Sequence, residues 1–397
     1  MNAGLVHRWT GPFSCAANNA LSVHRLEQVP FLPMSDTIDH WMRLAARLAV
    51  RGHGHVEPNP MVGCIILDRS GALVGMGHHR VVGGPHAEVE ALRKAGAKAR
   101  GGTVIVTLEP CTNHGRTPPC VESLRSAGIL QVFYGERDPN PEAAGGEAWL
   151  CGAGIPTQQR STPQTRELIA PFAKRTATGL PWVIAKWAQT VDGRIATRSH
   201  DSQWISCERS RAMVHRERGR VDVILTGIGT VMRDDPLLTC RSGSPCRNAV
   251  RVVVDPELNI PLDRKIVMTA KTHRTIVTTL PKAFSEKSEH RRALGDLGVG
   301  CMKQHSDFRG LLEALRREFD ASTVLVEAGG GLTGALLREG LIDEAWVFVG
   351  PRLLGDETAF GPARGFTTPR IQDGIPMRLL SVRQRGTDAL LHYRFGG

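Results

Sequence analysis

No stretch of the chain reaches the roughly 18 consecutive apolar residues that a membrane-spanning helix needs. The first 35 residues hold Arg8, Pro12, Arg25 and Pro30 without a continuous apolar run, so they make a poor secretory leader. The nine cysteines are odd in number and irregularly spaced, which argues against a disulfide framework. No lysine/arginine run of the kind found in basic tails occurs, and neither internal repeats nor long low-complexity segments are present. These absences speak against a membrane protein, a disulfide-stapled secreted domain, a polybasic arm and a solenoid. A reducing cytoplasm is the expected location.

What is present suits a globular protein. The 397 residues are 41% hydrophobic and 22% charged, enough for two or three domains of roughly 150 residues each. Fifty Lys/Arg against 39 Asp/Glu leave a formal charge of +11. A basic balance suits nucleic acid, a membrane surface or a phosphorylated metabolite, or simply aids solubility. Because the charges are scattered, a small anionic substrate explains the sign as well as a nucleic acid does.

Residues 1–35 show no periodicity and read as a loosely ordered extension, with Met34 as an alternative start. Apolar residues at Ile38, Trp41, Met42, Leu44, Ala45 and Leu48 predict a helix over 37–51, capped by Ser35 or Asp36 and stopped at Gly52. Strands are predicted at 62–67, 72–77, 103–108 and 131–134, and helices at 86–94 and 120–127. A short helix-strand unit ends near 157. This alternation predicts a three-layer α/β/α domain over 36–157. Residues 158–180 are polar and helix-like, ending at Gly179-Leu-Pro181, and read as a connector or hinge. A second α/β domain is predicted over 181–397. Its strands fall at 182–187, 221–225, 251–255, 275–278, 323–327 and 344–349, and its helices at 206–218, 308–319 and 332–339.

The strongest chemical signal is His86-Ala-Glu88 followed by Pro110-Cys111 and Cys120. An H-x-E and a later P-C…C is the plan of zinc deaminases. One imidazole and two thiolates would hold Zn²⁺ and leave a fourth position for water, whose pKa the metal lowers toward roughly 7. Glu88, two residues past a ligand, is placed to shuttle protons between that water and a departing amine. His114 is a conceivable fourth ligand, which would make the zinc structural.

Common nucleoside deaminases have P-C-x-x-C, whereas here the residues 112–119 separate the two cysteines. The run Thr107-Leu-Glu-Pro-Cys-Thr-Asn-His-Gly-Arg-Thr-Pro-Pro-Cys120 resembles the signature of the bifunctional riboflavin-biosynthesis deaminase/reductase family. Pro58-Asn-Pro60, Val62-Gly63 and Pro85-His-Ala-Glu-Val89 resemble it too. The resemblance runs from about residue 37 to the C-terminus. It implies a cytidine-deaminase-like domain acting on 2,5-diamino-6-(5-phosphoribosylamino)pyrimidin-4(3H)-one, with Asn59, His79 and His114 touching substrate and Arg116 suited to its phosphate. Glu57 stands where the family often has His, Met61 where a polar residue is usual, and Asn113 where His is common.

In the second half, Glu327-Ala-Gly-Gly-Gly-Leu-Thr-Gly334 follows a predicted strand and opens a helix, a setting that admits a phosphate. Read literally, Gly329-x-Gly331-x-x-Gly334 fits a Rossmann fingerprint, but the acidic residue expected about 20 positions on is missing. Lys186-Trp-Ala-Gln-Thr-Val-Asp-Gly-Arg194, Asp201-Ser-Gln-Trp204, Thr226-Gly-Ile-Gly-Thr230, Asp234-Asp-Pro-Leu-Leu-Thr239 and Pro351-Arg-Leu-Leu-Gly355 resemble the reductase domain of the same family, which is dihydrofolate-reductase-like. The resemblance implies NADPH contacts at Ala188, Trp204, Thr230, Asp234 and the loop Gly329, Gly330, Gly331, Leu332, Thr333, Gly334 and Ala335. It implies substrate contacts at Ser202, Arg218, Leu238, Arg241 and Glu327. Arg218 and Arg241 are plausible phosphate clamps. Lys186, Asp234 and Glu327 stand as alternative proton donors for reduction of the ribosyl group to ribityl.

Two competing readings bear on the same residues. One is a nucleic-acid or nucleoside zinc deaminase with an accessory nucleotide-binding domain, which the basic charge favours and the long Cys–Cys insert disfavours. The other is a non-catalytic chain with a structural zinc, against which Glu88 stands. The expected partner is a small phosphorylated pyrimidine, with no nucleic acid and no membrane; homo-oligomerisation is left open.

Overall fold

A computed structural model describes residues 34–114, 118–241, 243, 245–303 and 307–396. Its first body runs α1 (Met34–Ala49), β1 (Gly63–Leu67), β2 (Leu73–His78), α2 (Ala87–Ala95), β3 (Thr103–Leu108), α3 (Cys120–Ser126), β4 (Gln131–Glu136), α4 (Gly146–Gly152) and β5 (Thr157–Gln159). The sheet order is β2-β1-β3-β4-β5, antiparallel as far as β3 and parallel beyond it. All of β1 is buried, so both its faces are covered. Ile65 and Leu67 lie with Ile105 and Phe133 under Ile38, Met42, Ala45 and Leu48, whose spacing puts them on one stripe of α1. Cys64 and Ile66 face the other way, packing with Val104 and Val106 against Ala87 and Ala91 of α2 and Val121 and Leu124 of α3. These are the three layers the alternating pattern predicts. The first helix starts at Met34, so Ser35 and Asp36 lie in its first turn and not ahead of it as caps.

The segment 158–180, read as polar and helix-like, is largely helical. It completes β5 and forms α5 (Pro163–Thr178), with Thr162 and Thr165 capping reciprocally and Gly179 (φ +70°) ending it. Its polar residues make tertiary contacts: Lys174 Nζ donates to Asp343 Oδ2 (2.6 Å), and Arg175 donates to Pro58 O (3.2 Å) and Asp320 Oδ1 (3.0 Å). Hydropathy cannot see partners so distant in sequence.

The second body runs β6 (Trp182–Gln189), α6 (Glu208–Arg218), β7 (Val223–Gly227), α7 (Ile228–Asp234), β8 (Val250–Val254), α8 (Lys265–Met268) and β9 (Thr275–Thr279). It continues through α9 (Pro281–Glu286), α10 (Ser288–Asp296), β10 (Val299–Lys303), α11 (Phe308–Phe319), β11 (Thr323–Val326), α12 (Gly330–Arg338), β12 (Glu344–Val349), β13 (Met377–Arg385) and β14 (Asp388–Phe395). Nine strands form one sheet, β10-β9-β8-β7-β11-β6-β12-β14-β13, parallel except for the pairings of β14. Two apolar clusters cover its faces, one centred on Val183, Leu225 and Val326 and the other on Ile184, Ile224 and Leu325. The direction of strand addition reverses around β6, and the C-terminal ends of β6, β7 and β11 open a crevice there. No helix among the described residues is long and apolar enough to cross a membrane.

Candidate active sites

The first site sits where α2, α3 and the end of β3 converge. His86 is the extended residue immediately before α2 (φ −71°, ψ 164°), one step outside the helix in which the sequence places it. Cys120 is the first residue of α3, and Cys111 follows the end of β3. Their ligand atoms all lie within 4.8 Å of one another. His86 Nδ1 is 3.2 Å from Cys120 Sγ and 3.5 Å from Cys111 Sγ. Tetrahedral zinc, with bonds of about 2.0 Å to nitrogen and 2.3 Å to sulfur, needs donors roughly 3.5 Å apart. The donor set therefore fits zinc through Nδ1 and two sulfurs. Hydrogen bonding from Cys120 lowers the Cys111 thiol pKa, while the same bond and burial raise that of Cys120, so the pair readily holds one negative charge.

Glu88 is 3% exposed in the first turn of α2, and burial pushes its carboxyl pKa up. It lines a cavity of about 390 Å³ with His86, Cys111, Asn59 and His79. His79 Nδ1–H donates to Pro85 O (3.0 Å), which leaves Nε2 to accept from Asn59 Nδ2 (3.4 Å). Burial lowers the His79 pKa, favouring the neutral ring. His114 is 73% exposed, lies 3.7 Å from Glu122, and is not on the cavity wall or in the donor cluster. Arg116 lies outside the described residues. Asp138, Asn140 and Phe172, not anticipated from sequence, also line the cavity. The Glu109 carboxylate accepts from the Asp138 and Glu147 amides (3.3 and 3.0 Å), and Asp138 Oδ1 in turn accepts from the Asn140 amide (2.9 Å). Phe172 belongs to α5, and no local motif marks it.

The second site is the crevice of the larger sheet, a cavity of about 1160 Å³. Ala188, Trp204, Thr230 and Asp234 line it, as do Gly329, Gly330, Gly331, Leu332 and Ala335 of the glycine-rich loop. Thr333 and Gly334 do not; both are buried on the far side of α12. A Cβ on Gly334 would lie 1.9 Å from Arg364 O, so that glycine serves close packing. Ser202, Arg218, Leu238, Arg241 and Glu327 all line the cavity. Arg218 forms a two-pronged pair with Glu327 (2.6 and 3.0 Å), and Lys186 Nζ stands 3.8 Å from the same carboxylate. Burial alone would raise the pKa of Glu327, but the charges of Arg218 and Lys186 bring it to about 2. Burial lowers the Lys186 pKa. Burial raises that of Asp234, whose carboxylate accepts from Ser202 Oγ (3.3 Å). The Arg211 guanidinium stacks 4.5 Å over the Trp204 ring.

Fold and sites together define a zinc deaminase joined to a dinucleotide-dependent reductase. Residues 35–136 match the cytidine and deoxycytidylate deaminase zinc-binding region, and residues 181–391 match the RibD C-terminal domain. The riboflavin biosynthesis protein RibD of Actinobacillus pleuropneumoniae is 37% identical over 89% of this chain and 94% of its own length. That of Aquifex aeolicus is 35% identical over 89% and 98%. Among solved structures, Acinetobacter baumannii RibD (form 1) is 36% identical, with a TM-score of 0.77 over 91% of this chain and all of that one. A Thermotoga maritima diaminohydroxyphosphoribosylaminopyrimidine deaminase/5-amino-6-(5-phosphoribosylamino)uracil reductase is 30% identical, with a TM-score of 0.78 over the same shares. The chain belongs to the RibD family of bifunctional riboflavin-biosynthesis enzymes, with a cytidine-deaminase-like domain that takes zinc and a dihydrofolate-reductase-like domain that uses NADPH.

Proposed function

We propose that the first half hydrolytically deaminates 2,5-diamino-6-(5-phosphoribosylamino)pyrimidin-4(3H)-one to 5-amino-6-(5-phosphoribosylamino)uracil, and that the second half reduces the ribosyl group of that product to ribityl. The observation that carries this is the pairing, on one chain, of a His86/Cys111/Cys120 donor set beside a buried Glu88 with a crevice holding Arg218, Glu327 and Lys186. The deaminase boundaries are placed near 36–157 and the reductase near 181–397, with α5 as the connecting element.

In the first pocket, His86, Cys111 and Cys120 hold the zinc, which supplies Lewis acidity for activating water. Glu88 takes a proton from the attacking water and returns it to the departing amine, so that water is consumed and ammonia leaves. Asn59 and His79 orient the pyrimidine. His114 is a further substrate contact only if it turns in from its exposed position beside Glu122, and Arg116 is the residue suited to the substrate's phosphate.

In the second pocket, NADPH, when bound, would supply the hydride needed to reduce the opened sugar. The glycine-rich loop at the start of α12, together with Ala188, Trp204, Thr230 and Asp234, holds the dinucleotide. Ser202, Leu238 and Arg241 bind substrate, and Arg218 acts through Glu327. Among the three candidate acids, Glu327 is anionic at a pKa near 2, and Asp234 pairs with Ser202 and not with the Arg218–Glu327–Lys186 group. Lys186, whose pKa burial lowers, is the remaining group at the crevice floor and donates the proton. The enzyme works in the cytoplasm on a small anionic substrate and not on nucleic acid.

The test is ammonia release by zinc-loaded protein given the diaminopyrimidinone ribosyl phosphate, followed by NADPH oxidation. Ammonia release, with NADPH consumed only after deamination, supports both halves and their order. Ammonia release without NADPH consumption removes the reductase reading. Neither signal from folded, zinc-loaded protein returns nucleic-acid deamination to the front.

A further inference from the structure

We propose that the reductase half positions the substrate-lining loop of the deaminase pocket through a charged clamp in which Arg247 holds Glu57. The inference deepens the deaminase reading above and rests on it.

The loop between α1 and β1 carries His53, Gly54 and Glu57 to Asn59 and Pro60, and the last two wall the deaminase cavity. Glu57 is absent from the cavity wall. Its Oε1 accepts from Gly54 N (3.0 Å) and pairs with His53 Nδ1 (3.1 Å), while Oε2 accepts from Arg247 Nη2 (3.0 Å). The same guanidinium donates through Nε to Gly54 O (2.9 Å) and through Nη1 to Asp222. Asp222 is itself fixed: its Oδ2 accepts from the Ser322 and Thr323 amides (both 2.9 Å) at the start of β11. Arg247 is thus braced on the reductase sheet and grips the deaminase loop by a side chain and a carbonyl.

Three neighbours reinforce the grip. His53 Nε2 pairs with Glu217 Oε1 (2.8 Å) in the last turn of α6. Arg175 of α5 donates to Pro58 O, the residue between Glu57 and Asn59 (3.2 Å). Gly54 has φ +87°, and a Cβ there would lie 2.9 Å from Arg220 Cγ, so the reductase chain packs directly on the loop backbone. From Asn59 the contacts continue to His79, whose ring lies edge-on to His86 with centroids 5.6 Å apart. Glu57 is a positioning residue in this scheme: it touches neither the zinc ligands nor the cavity. Its side chain is 11% exposed and that of Arg247 is 21% exposed, so removing either leaves the other a largely desolvated charge with one ionic partner fewer, His53 alone for Glu57 and Asp222 alone for Arg247. A loop displaced by about an ångström misplaces the substrate contacts it carries.

The test uses the full-length zinc-loaded chain with Arg247→Ala, Arg247→Lys and Glu57→Gln. Glu217 is avoided because its neighbour Arg218 lines the reductase crevice. Deamination is followed as ammonia release, and reduction as NADPH oxidation with pre-deaminated substrate. In Arg247→Ala and Glu57→Gln the KM for deamination should rise roughly tenfold, the scale of one charge-assisted hydrogen bond. The kcat for deamination and both constants for reduction should stay within about twofold of wild type, a split that uniform destabilisation does not produce. Zinc content should be unchanged. Arg247→Lys should restore part of the KM, and the Glu57→Gln/Arg247→Ala double variant should be no worse than the worse single. If Arg247→Ala does not fold, Glu57→Gln and Arg247→Lys carry the measurement. An unchanged deamination KM in folded variants overturns the proposal, as does a parallel fall of both activities. Wild-type protein that releases no ammonia removes the deaminase reading and the proposal with it.

Discussion

Glu88 is buried beside two thiols and an imidazole, and nothing in packing calls for a carboxylate there. Glu88→Gln keeps its volume and removes its proton-carrying capacity. Ammonia release should fall by about two to four orders of magnitude, the usual share of a general acid–base group. Zinc content and reduction of pre-deaminated substrate should remain at wild-type levels. Arg251 is a residue of the opposite kind. It is 1% exposed, ends on Leu237 O, Ile266 O, His273 O, Thr269 Oγ1 and Thr275 Oγ1 at 2.6–2.9 Å, and has no acidic partner among the described residues. Burial lowers its pKa to about 10. Arg251→Met fills much of the volume but strands those acceptors, so a loss of about 3 kcal/mol is expected from several unmet hydrogen bonds. The urea midpoint of the reductase transition measures it.

Helix α12 shows how one element serves packing and binding at once. Its first turn faces the crevice through Gly330 and Gly331, while Gly334 sits against Arg364, whose amide donates to Gly330 O (2.9 Å). Gly334→Ala should push the helix off that strap. The KM for NADPH should rise by about tenfold or more, since the loop amides lose their alignment, and ammonia release should be spared. A variant whose KM for NADPH is unchanged would remove the close-packing account. The strand-loop-helix arrangement here was legible because the glycines and the apolar run before them are adjacent in sequence. The hairpin β13-β14 was not. β13 lies at the sheet edge with Met377, Leu379 and Val382 exposed, so its alternation does not sort apolar from polar positions. The helical character of α5 was legible, but its docking was not, because Lys174 and Arg175 are committed to distant partners and not to solvent.

Across the whole molecule, the joint between the halves is charged and therefore sensitive to pH. Burial alone would lower the His53 pKa, but the charge of Glu217 and hydrogen bonds to Glu217 and Glu57 push it up to about 10. Its ring meets Glu57 and Glu217, and Arg247 joins Glu57 to Asp222 beyond it. Unfolded histidine titrates at 6.5, so the stability this group contributes is full below pH 6.5 and is lost as pH rises toward about 10. Glu57, held below its usual range, loses its share only in acid. Thermal unfolding of wild type and His53→Gln across that window should show the largest difference near neutral and slightly acid pH, with the two curves converging at the alkaline end. A constant difference across the window would mean that the ring is packed there but not charged.

The chemistry of the sites was legible from residue types and short spacings. His86, Glu88, Cys111 and Cys120 are recognisable because each contributes a distinct donor or proton carrier, and because strand β3 and helix α3 deliver the cysteines over a short span of chain. The alternation of apolar patterns also determined two α/β units. Tertiary structure alone decided which residues complete those sites from afar: Asp138, Asn140 and Phe172 around the first pocket, and the pairing of Arg218 with Glu327 in the second. It alone joined the halves, since Glu57 meets Arg247 across 190 positions and His53 meets Glu217 across 164. No local pattern encodes such pairs. Charged side chains read as solvated surface until the fold removes their water and leaves each other as partners.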